Sequence, residues 1–325
     1  VFVLLPLGYG LSQVMFALTG NLPMMILSRL FSGIFAGATY SVAYGYVSDI
    51  SERQMKSANI AKIGSIAIIG GALGAKIGGQ VAVMNTTYPF ILQLILSIVV
   101  TGLLFFFLKD TEEDEEETKS KRLSDLKGLN PFSTFKYIKE LDSSSKFFVL
   151  IIFMSGVGIF SYNSSIIYFL KFYKNVSSNT IGTFTMLSSL LAFLGTSFLL
   201  KWMLKKHKEI SIYRVFVTLG ILIMILSLVI LEKGLIPYVL FSIYTMSYEI
   251  VRTLGNSILA NRFKRDQGKI LGIATGMGSL GMAVGSLISG YLLAMDSYLP
   301  FIVNIVMMSL VIGLLIYNNF INTKK

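Results

Sequence analysis

Five charged residues lie inside otherwise apolar stretches of this 325-residue sequence: Arg29, Lys62, Lys76, Glu249 and Arg252. A charged side chain at bilayer depth costs at least about 2–3 kcal/mol, so it usually faces a water-filled cavity or pairs with another charge. Lys62 is about one turn from the end of its stretch and can extend its ammonium group to water. The other four residues are the first candidates for proton transfer or ligand binding.

Glu249 is the best candidate for a proton carrier, because its carboxyl group can gain and lose a proton within an apolar stretch. Its neighbours at helical spacing are polar, and they form one face that we expect to line a cavity. The alternative is a purely structural ion pair with Arg252, three residues along. That polar face consists of Ser242, Thr245, Arg252, Thr253 and Asn256.

Lys76 stands in the run Gly70-Gly71-Ala72-Leu73-Gly74-Ala75-Lys76-Ile77-Gly78-Gly79-Gln80. Gly70, Gly74 and Gly78 recur every four residues and predict a smooth helix face for close packing, continued by Gly79. Lys76 lies about 200° around the helix from Gly74, so we expect it to point away from that face and into a cavity. With Arg29 and Arg252, Lys76 makes three cationic candidates against the one acid, Glu249, and this excess of positive charge favours an anionic or zwitterionic substrate.

Further polar and aromatic residues in apolar stretches are candidates for contact with a drug-sized ligand. Aromatic residues in membrane helices also serve as packing groups or interfacial anchors, so both roles stay open. Asp49 is at the end of its stretch, where we expect it to cap the helix or latch a gate. The candidates for ligand contact are Tyr40, Tyr44, Gln80, Tyr162, Asn163, Tyr168, Arg252 and Asn256.

The composition excludes several functions. Hydrophobic residues make up 54% of the chain and charged residues only 14%, which is too little charge to cover a soluble domain of this length. With no Cys and one His, neither a thiolate nor a histidine metal site can form. The net charge of +11 comes from basic residues in short loops between apolar stretches. Nucleic-acid binding needs a basic face on a soluble domain, so it is not expected here. No phosphate-binding loop or nucleophile motif occurs, so we predict neither an enzyme nor a cofactor.

Apolar stretches long enough to cross a bilayer occur ten times and predict an all-α polytopic membrane protein. Turn residues separate them, as in Gly20-Asn21-Leu22-Pro23. The predicted helices lie near 1–18, 24–47, 59–83, 89–108, 146–170, 179–200, 214–231, 235–260, 270–294 and 299–320.

The distribution of basic residues predicts the orientation. Lysine and arginine concentrate in the loops after the second, sixth and eighth predicted helices, and the positive-inside rule places those loops and the C-terminus in the cytoplasm. The segment 109–145 is the one long polar stretch and contains six consecutive acids, Glu112 to Glu117, which is typical of a solvated linker. It leaves four helices before it and six after it.

Several segments resemble the major facilitator superfamily, and within it the drug:proton antiporters, of which the tetracycline efflux proteins are near relatives. The glycine run around Lys76 resembles the antiporter signature of the fifth family helix, with Ala75 and Ala61 where the signature has Pro and Gly. The other resembling segments are Leu27 to Ala38, which contains Arg29 and Gly33, Tyr46 to Ile50, Leu129 to Phe135, and Gln267 to Lys269.

The resemblance implies a fold of two six-helix bundles, with the binding site near the midplane between them. Residues 1–108 would be the remainder of the N-terminal bundle, family helices 3–6, residues 109–145 the cytoplasmic linker, and residues 146–325 the C-terminal bundle, family helices 7–12. The first two family helices would lie outside this sequence, which begins with Val1. We expect a fragment of a longer protein, or a natural ten-helix variant. Lys76 could then pair with a carboxylate on the absent helices.

The function implied by the resemblance is proton-coupled export of drugs or related small molecules by alternating access. The matching arginine of the family, here Arg29, is tied to proton coupling. The expected partners are a small-molecule substrate, protons and the lipid bilayer of a bacterial plasma membrane, with the protein acting as a monomer. The alternatives are a transporter of a small anionic metabolite and a transport-inactive truncated fragment.

Overall fold

The computed structural model describes residues 2–52, 56–108, 138, 141, 143–231, 234–262 and 267–322, apart from some side chains within these ranges. This described part contains ten long helices, one in each stretch that the sequence predicts. They are α1 (Leu5–Leu18), α2 (Leu22–Ile50), α3 (Lys56–Met84), α4 (Tyr88–Phe107), α5 (Ser143–Tyr168), α6 (Ser178–Leu194, continued below), α7 (Glu209–Val229), α8 (Ile236–Arg262), α9 (Gln267–Met295) and α10 (Leu299–Asn322).

Two of these helices continue through a π-helical segment, in which each turn holds one residue more than an α-helical turn. At the end of α5 the segment is Phe169–Tyr173, and in α6 it is Gly195–Leu199, after which Leu200–Leu204 returns to the α conformation. In the first of these segments the backbone N–H of Lys174 donates to the carbonyl oxygen of Phe169 at 3.1 Å, a five-residue step.

Proline and turn residues fix where helices begin. Pro6, Pro23 and Pro89 each occupy one of the first two positions of α1, α2 and α4. Proline suits this position because its missing N–H has no partner within the first turn. Gly234, in the turn before α8, has a φ of +59°, a left-handed conformation that glycine adopts without steric cost.

Eight of the ten helices are long and apolar enough to cross a bilayer. The exceptions are α1, which is apolar but only 14 residues long, and α8, which has 27 residues but carries the polar face around Glu249. A polar face lowers the mean hydropathy of a helix that still has spanning length, and charged residues in such helices usually face the protein interior or water.

The chain divides into two compact units. The first comprises Val1–Asp125 together with Ser178–Thr183, and the second comprises Leu126–Ser177 and Phe184–Lys325. The division at residue 125 lies within the predicted linker 109–145, nearly all of which is outside the described residues. The domain boundaries at 108 and 145 therefore stay predictions, and the sequence did not indicate that Ser178–Thr183 would group with the first unit.

In the first unit, α1 packs against both α2 and α4. Small residues on α1 allow this close approach, because a side chain at Gly8 would collide with the ring of Phe35 on α2. At the other end of α1, the rings of Phe16 and Phe90 lie 5.9 Å apart. The first contact joins α1 to α2, which carries Arg29, and the second joins α1 to α4.

In the second unit, α5 is the central helix and packs most extensively against α9 and then against α10, while α7 pairs with α8. Backbone meets backbone along the contact between α5 and α9. A Cβ atom on Gly281 would lie 3.2 Å from the Cα atom of Gly156, and one on Gly285 would lie 3.1 Å from the backbone nitrogen of Ser161. Glycine is required at such a contact because any side chain would push the helices apart.

The glycines of α3 differ in their surroundings. Apart from nearby atoms of α3 itself, no atom of the described residues lies within 4 Å of the position that a Cβ atom would take on Gly70, Gly74 or Gly78. By contrast, a Cβ atom on Gly79 would lie 2.8 Å from the Cα atom of Gly182. The described residues do not pack against Gly70, Gly74 or Gly78, and the packing role of these glycines stays a prediction. The close approach occurs at the neighbouring glycine, on a different face of the helix.

Candidate functional site

Glu249 and Arg252 form an ion pair on α8. The Nη2 atom of Arg252 lies 2.7 Å from Oε2 of Glu249, and Nε donates to the same oxygen at 3.0 Å. The side chain of Glu249 retains 23% of its accessible surface and that of Arg252 retains 55%, so the pair faces open space rather than the core of the second unit. The i,i+3 spacing in the sequence predicted this pairing as the structural alternative for Glu249.

A partly open cavity of about 110 Å³ lies beside this ion pair and is lined by residues of α5, α7, α8 and α9 of the second unit. Arg252 lies on its wall, whereas most of the lining is apolar or glycine. Two lining hydroxyl groups, those of Ser155 and Tyr213, are hydrogen-bonded to each other at 3.1 Å. Thr275 and Ser279 add further hydroxyl groups. An apolar pocket with a few convergent polar groups is the usual form of a small-molecule site.

The remaining hydroxyl groups of the predicted polar face are largely used by the protein itself. Ser242, Thr245 and Thr253 each donate to the backbone carbonyl oxygen four residues earlier, at 2.9, 2.9 and 2.8 Å. Ser242 is buried and also contacts Ser188 at 2.8 Å. Within the described side chains of α8, the charged groups available to a ligand are therefore Glu249 and Arg252.

Tyr162 is a core residue rather than a cavity residue. Only 1% of its surface is exposed, and its ring packs against those of Phe241, Tyr244 and Phe301 at centroid distances of 6.0, 4.7 and 6.1 Å. Aromatic packing covers the ring in this structure, and the predicted contact of Tyr162 with substrate stays a prediction. The next residue, Asn163, is half-buried, and its role stays a prediction.

Arg29 on α2 is held by two groups of α1. Its Nη1 atom donates to Oε1 of Gln13 at 3.0 Å, and its guanidinium carbon lies 3.7 Å from the centre of the Phe16 ring. Gln13 is buried, with 5% of its surface exposed. Sequence reasoning missed Gln13, although an amide in an apolar stretch is a signal that it could have used. The arrangement braces the contact between α1 and α2 and leaves the coupling role of Arg29 a prediction.

Lys76 on α3 donates hydrogen bonds to Oδ1 of Asn179 at 2.8 Å and to Oγ1 of Thr183 at 2.6 Å. These two residues belong to the segment that groups with the first unit. They lie 103 and 107 residues further along the chain, so no local pattern could have paired them with Lys76. Gln80, one turn beyond Lys76, is exposed.

The sequence matches the profile of the Major Facilitator Superfamily over residues 1–266. The chain belongs to this superfamily. The transporter is thus a multi-pass membrane protein, and the predicted two-bundle class of fold is confirmed. A solved D-xylose–proton symporter superposes over 97% of this chain and 79% of its own, with a TM-score of 0.71 and 13% identity. At that identity the likeness concerns the fold alone.

Two relatives carry names that refer to drug resistance, which supports the resemblance to drug antiporters. Multidrug resistance protein 2 of Bacillus subtilis (strain 168) is 22% identical over 299 residues, covering 90% of this chain and 72% of the relative. The quinolone resistance protein NorA of Staphylococcus aureus is 33% identical over 99 residues, covering 28% of this chain and 26% of the relative.

Four predicted site residues have side chains outside the described part of the transporter. Tyr40, Tyr44 and Asp49 lie on α2 and Asn256 lies on α8, where the helix is described but these side chains are not. Their predicted roles in ligand contact and gating stay predictions. Among the described residues, no group of three or more His, Cys, Asp or Glu side chains is placed to hold a metal ion.

Proposed function

We propose that the full-length protein exports drugs or related small molecules in exchange for protons, by alternating access. The observation that carries this proposal is the Glu249–Arg252 ion pair beside the cavity of the second unit. The names of the two relatives with drug resistance support the substrate class. Intramembrane ionisable residues that face a cavity commonly belong to ion or substrate pathways.

Glu249 would couple the inward movement of protons to the outward movement of substrate, because its protonation changes the charge beside the cavity. With Glu249 ionised, the pair is neutral overall and its free carboxylate oxygen, Oε1, can receive a cationic group of a substrate. When Glu249 takes up a proton, that acceptor loses its charge and Arg252 is left unneutralised, which repels a cation. Proton and cationic substrate would therefore bind alternately, and alternate binding at one site is the requirement for exchange.

We also propose the cellular setting. The protein would lie in a bacterial plasma membrane as a monomer, with the linker 109–145 and the C-terminus on the cytoplasmic side. The excess of lysine and arginine in alternate loops supports this orientation. An inward proton gradient would then drive substrate outward.

The test is transport by the full-length protein in proteoliposomes, with an imposed pH gradient and a panel of lipophilic drugs. Glu249→Gln keeps the size and hydrogen-bonding shape of the side chain but cannot carry a proton, so gradient-driven transport should fall to the level of protein-free vesicles. Glu209→Gln is the matched control, because Glu209 lies at the start of α7 and accepts a hydrogen bond from Ser257, whereas the described ion pair of Arg252 is with Glu249. Full gradient-driven transport by Glu249→Gln would refute the proposed coupling.

A second candidate is a transporter of a small anionic metabolite, and the geometry of Arg252 favours it. A guanidinium has five N–H groups, and in the described part of the chain only two of them, on Nε and Nη2, are engaged. Protonation of Glu249 would then free Arg252 for a substrate carboxylate, so proton and anion would bind together. The same assay separates the candidates, because organic anions would accumulate with the gradient. If the full-length protein moves neither class, both transport proposals fail and Glu249 and Arg252 are a structural ion pair.

A further inference from the structure

Lys76 presents a positive charge that its neighbours do not neutralise. It lies eight residues before the end of α3 at Met84, about 12 Å along the helix axis, and its side chain is half-buried. Its two hydrogen-bond partners, Asn179 and Thr183, are both neutral. Within the described residues no carboxylate contacts it. Cations at this depth normally find a counter-charge, so the missing negative group points to a ligand.

The hydrogen bonds within this cluster leave several of its N–H donors without a partner. The hydroxyl of Thr183 donates its hydrogen to the backbone carbonyl oxygen of Asn179 at 2.9 Å, so its oxygen can only accept from Lys76. The ammonium is a donor only, which requires the amide oxygen of Asn179 to face it. Three N–H groups then lack partners in the described structure: one on the ammonium and two on the amide nitrogen of Asn179. The cluster therefore offers three spare N–H donors, and the only charge on it is the positive charge of Lys76.

The backbones of α3 and α6 meet closely beside this cluster. A Cβ atom on Gly79 would lie 2.8 Å from the Cα atom of Gly182, and one on Gly182 would lie 2.6 Å from the carbonyl oxygen of Ala75. These backbone contacts lie within one turn of both Lys76 and Thr183. They show that α3 and α6 are already as close as backbones can come, so the donors of the cluster lie close together in this structure before any ligand arrives. Preorganised donors bind an anion without a further ordering cost.

We propose that Lys76, Asn179 and Thr183 form a binding site for an anionic oxygen group, either a carboxylate of a soluble ligand or the phosphate of a lipid headgroup. The site accepts such a group because carboxylate and phosphate oxygens are acceptors only and carry the missing charge. Gln80, one helical turn from Lys76, adds an exposed amide on the same side of α3. The inference lies in the first unit and does not depend on the exporter proposal, which rests on Glu249.

The experiment uses the full-length protein in nanodiscs and benzoate as the probe, with benzamide as its neutral counterpart of equal shape. In nanodiscs of phosphatidylcholine alone, titration calorimetry should detect benzoate but not benzamide. Lys76→Met should weaken benzoate binding about tenfold or more, and Thr183→Val, which keeps the side-chain volume, by about fivefold. Lys76→Arg should keep much of the binding. Lys201→Met is the matched control, because Lys201 is an exposed lysine of the second unit.

A second arm distinguishes the source of the anion. If phosphatidylglycerol in the nanodisc raises the thermal unfolding midpoint of the wild type but not of Lys76→Met, the ligand is a lipid phosphate. Benzoate binding that depends on Lys76 identifies a soluble carboxylate. If neither benzoate nor phosphatidylglycerol has an effect that depends on Lys76, the proposal is overturned. Should Lys76→Met fail to fold, Thr183→Val carries the same comparison.

Discussion

Replacing Gly281 by alanine should destabilise the second unit, because α5 and α9 meet there backbone to backbone. The added Cβ atom would lie 3.1 Å from the carbonyl carbon of Phe153 and 3.2 Å from the Cα atom of Gly156. It would lie closer still to the carbonyl oxygen of Phe153. Ordinary contacts between carbon atoms begin near 3.5 Å, so the two helices must separate.

The cost follows from that separation. An opening of about 0.5–1 Å along a packed contact forfeits a quarter to a half of the dispersion energy there, and overpacking of a well-packed core typically costs about 1–3 kcal/mol. Alanine also has a helix propensity up to about 1 kcal/mol better than glycine, which opposes the loss. To measure the cost of the clash alone, Gly281→Ala must be compared with an alanine substitution at a glycine of the same helix that has free space around it, because both variants gain the same helix propensity.

Gly290 on α9 provides this reference, because no atom of the described residues lies within 4 Å of its Cβ position. Thermal unfolding of both alanine variants in detergent should place Gly281→Ala below Gly290→Ala by about 1–3 kcal/mol. That difference corresponds to roughly 2–4 °C in midpoint for each kcal/mol in a unit of this size. Equal midpoints for the two variants would show that α5 and α9 do not meet as closely as described.

Two further predictions concern buried polar contacts. Tyr213→Phe or Ser155→Ala alone should lower the free energy of unfolding by about 1–3 kcal/mol, because each leaves the other hydroxyl unpaired. The double variant should lose less than the sum of the two single variants. Additive losses in this double-mutant cycle would contradict the contact. Arg29→Lys keeps the charge but loses the planar group over Phe16, so we expect it to lower the free energy of unfolding by about 0.5–2 kcal/mol. In a Phe16→Leu background, the same Arg29→Lys substitution should cost much less. An equal cost in both backgrounds would argue against the stacking.

The helices could be predicted from the sequence because their signals are local. Lengths of about 20 apolar residues, interrupted by proline and glycine turns, are enough to locate a membrane helix. The ion pair of Glu249 and Arg252 could also be predicted, since a spacing of three residues places both on one helix face. The resemblance of the glycine run around Lys76 indicated the superfamily that the profile match then confirmed.

The contacts between helices could not be predicted in the same way. Lys76 finds partners more than 100 residues away, and only the folded chain brings them together. The periodicity of Gly70, Gly74 and Gly78 indicated a packing face, yet packing selects the face of Gly79. Tyr162 has the chemistry of a ligand contact, but six-membered rings from α8 and α10 cover it. Residue type limits what a side chain can do, and tertiary packing decides whether it is accessible.

The π-helical segment of α6 has a consequence for how the length of this protein can vary among its relatives. Deleting one residue from an ordinary α-helix turns everything beyond the deletion by about 100°, which would move buried residues such as Leu200 onto a different face. Deleting one residue inside Gly195–Leu199 instead removes the extra residue of the wide turn and leaves the helix faces on both sides where they are. In α6 this segment is therefore where a single-residue gap should fall when relatives are aligned with this chain.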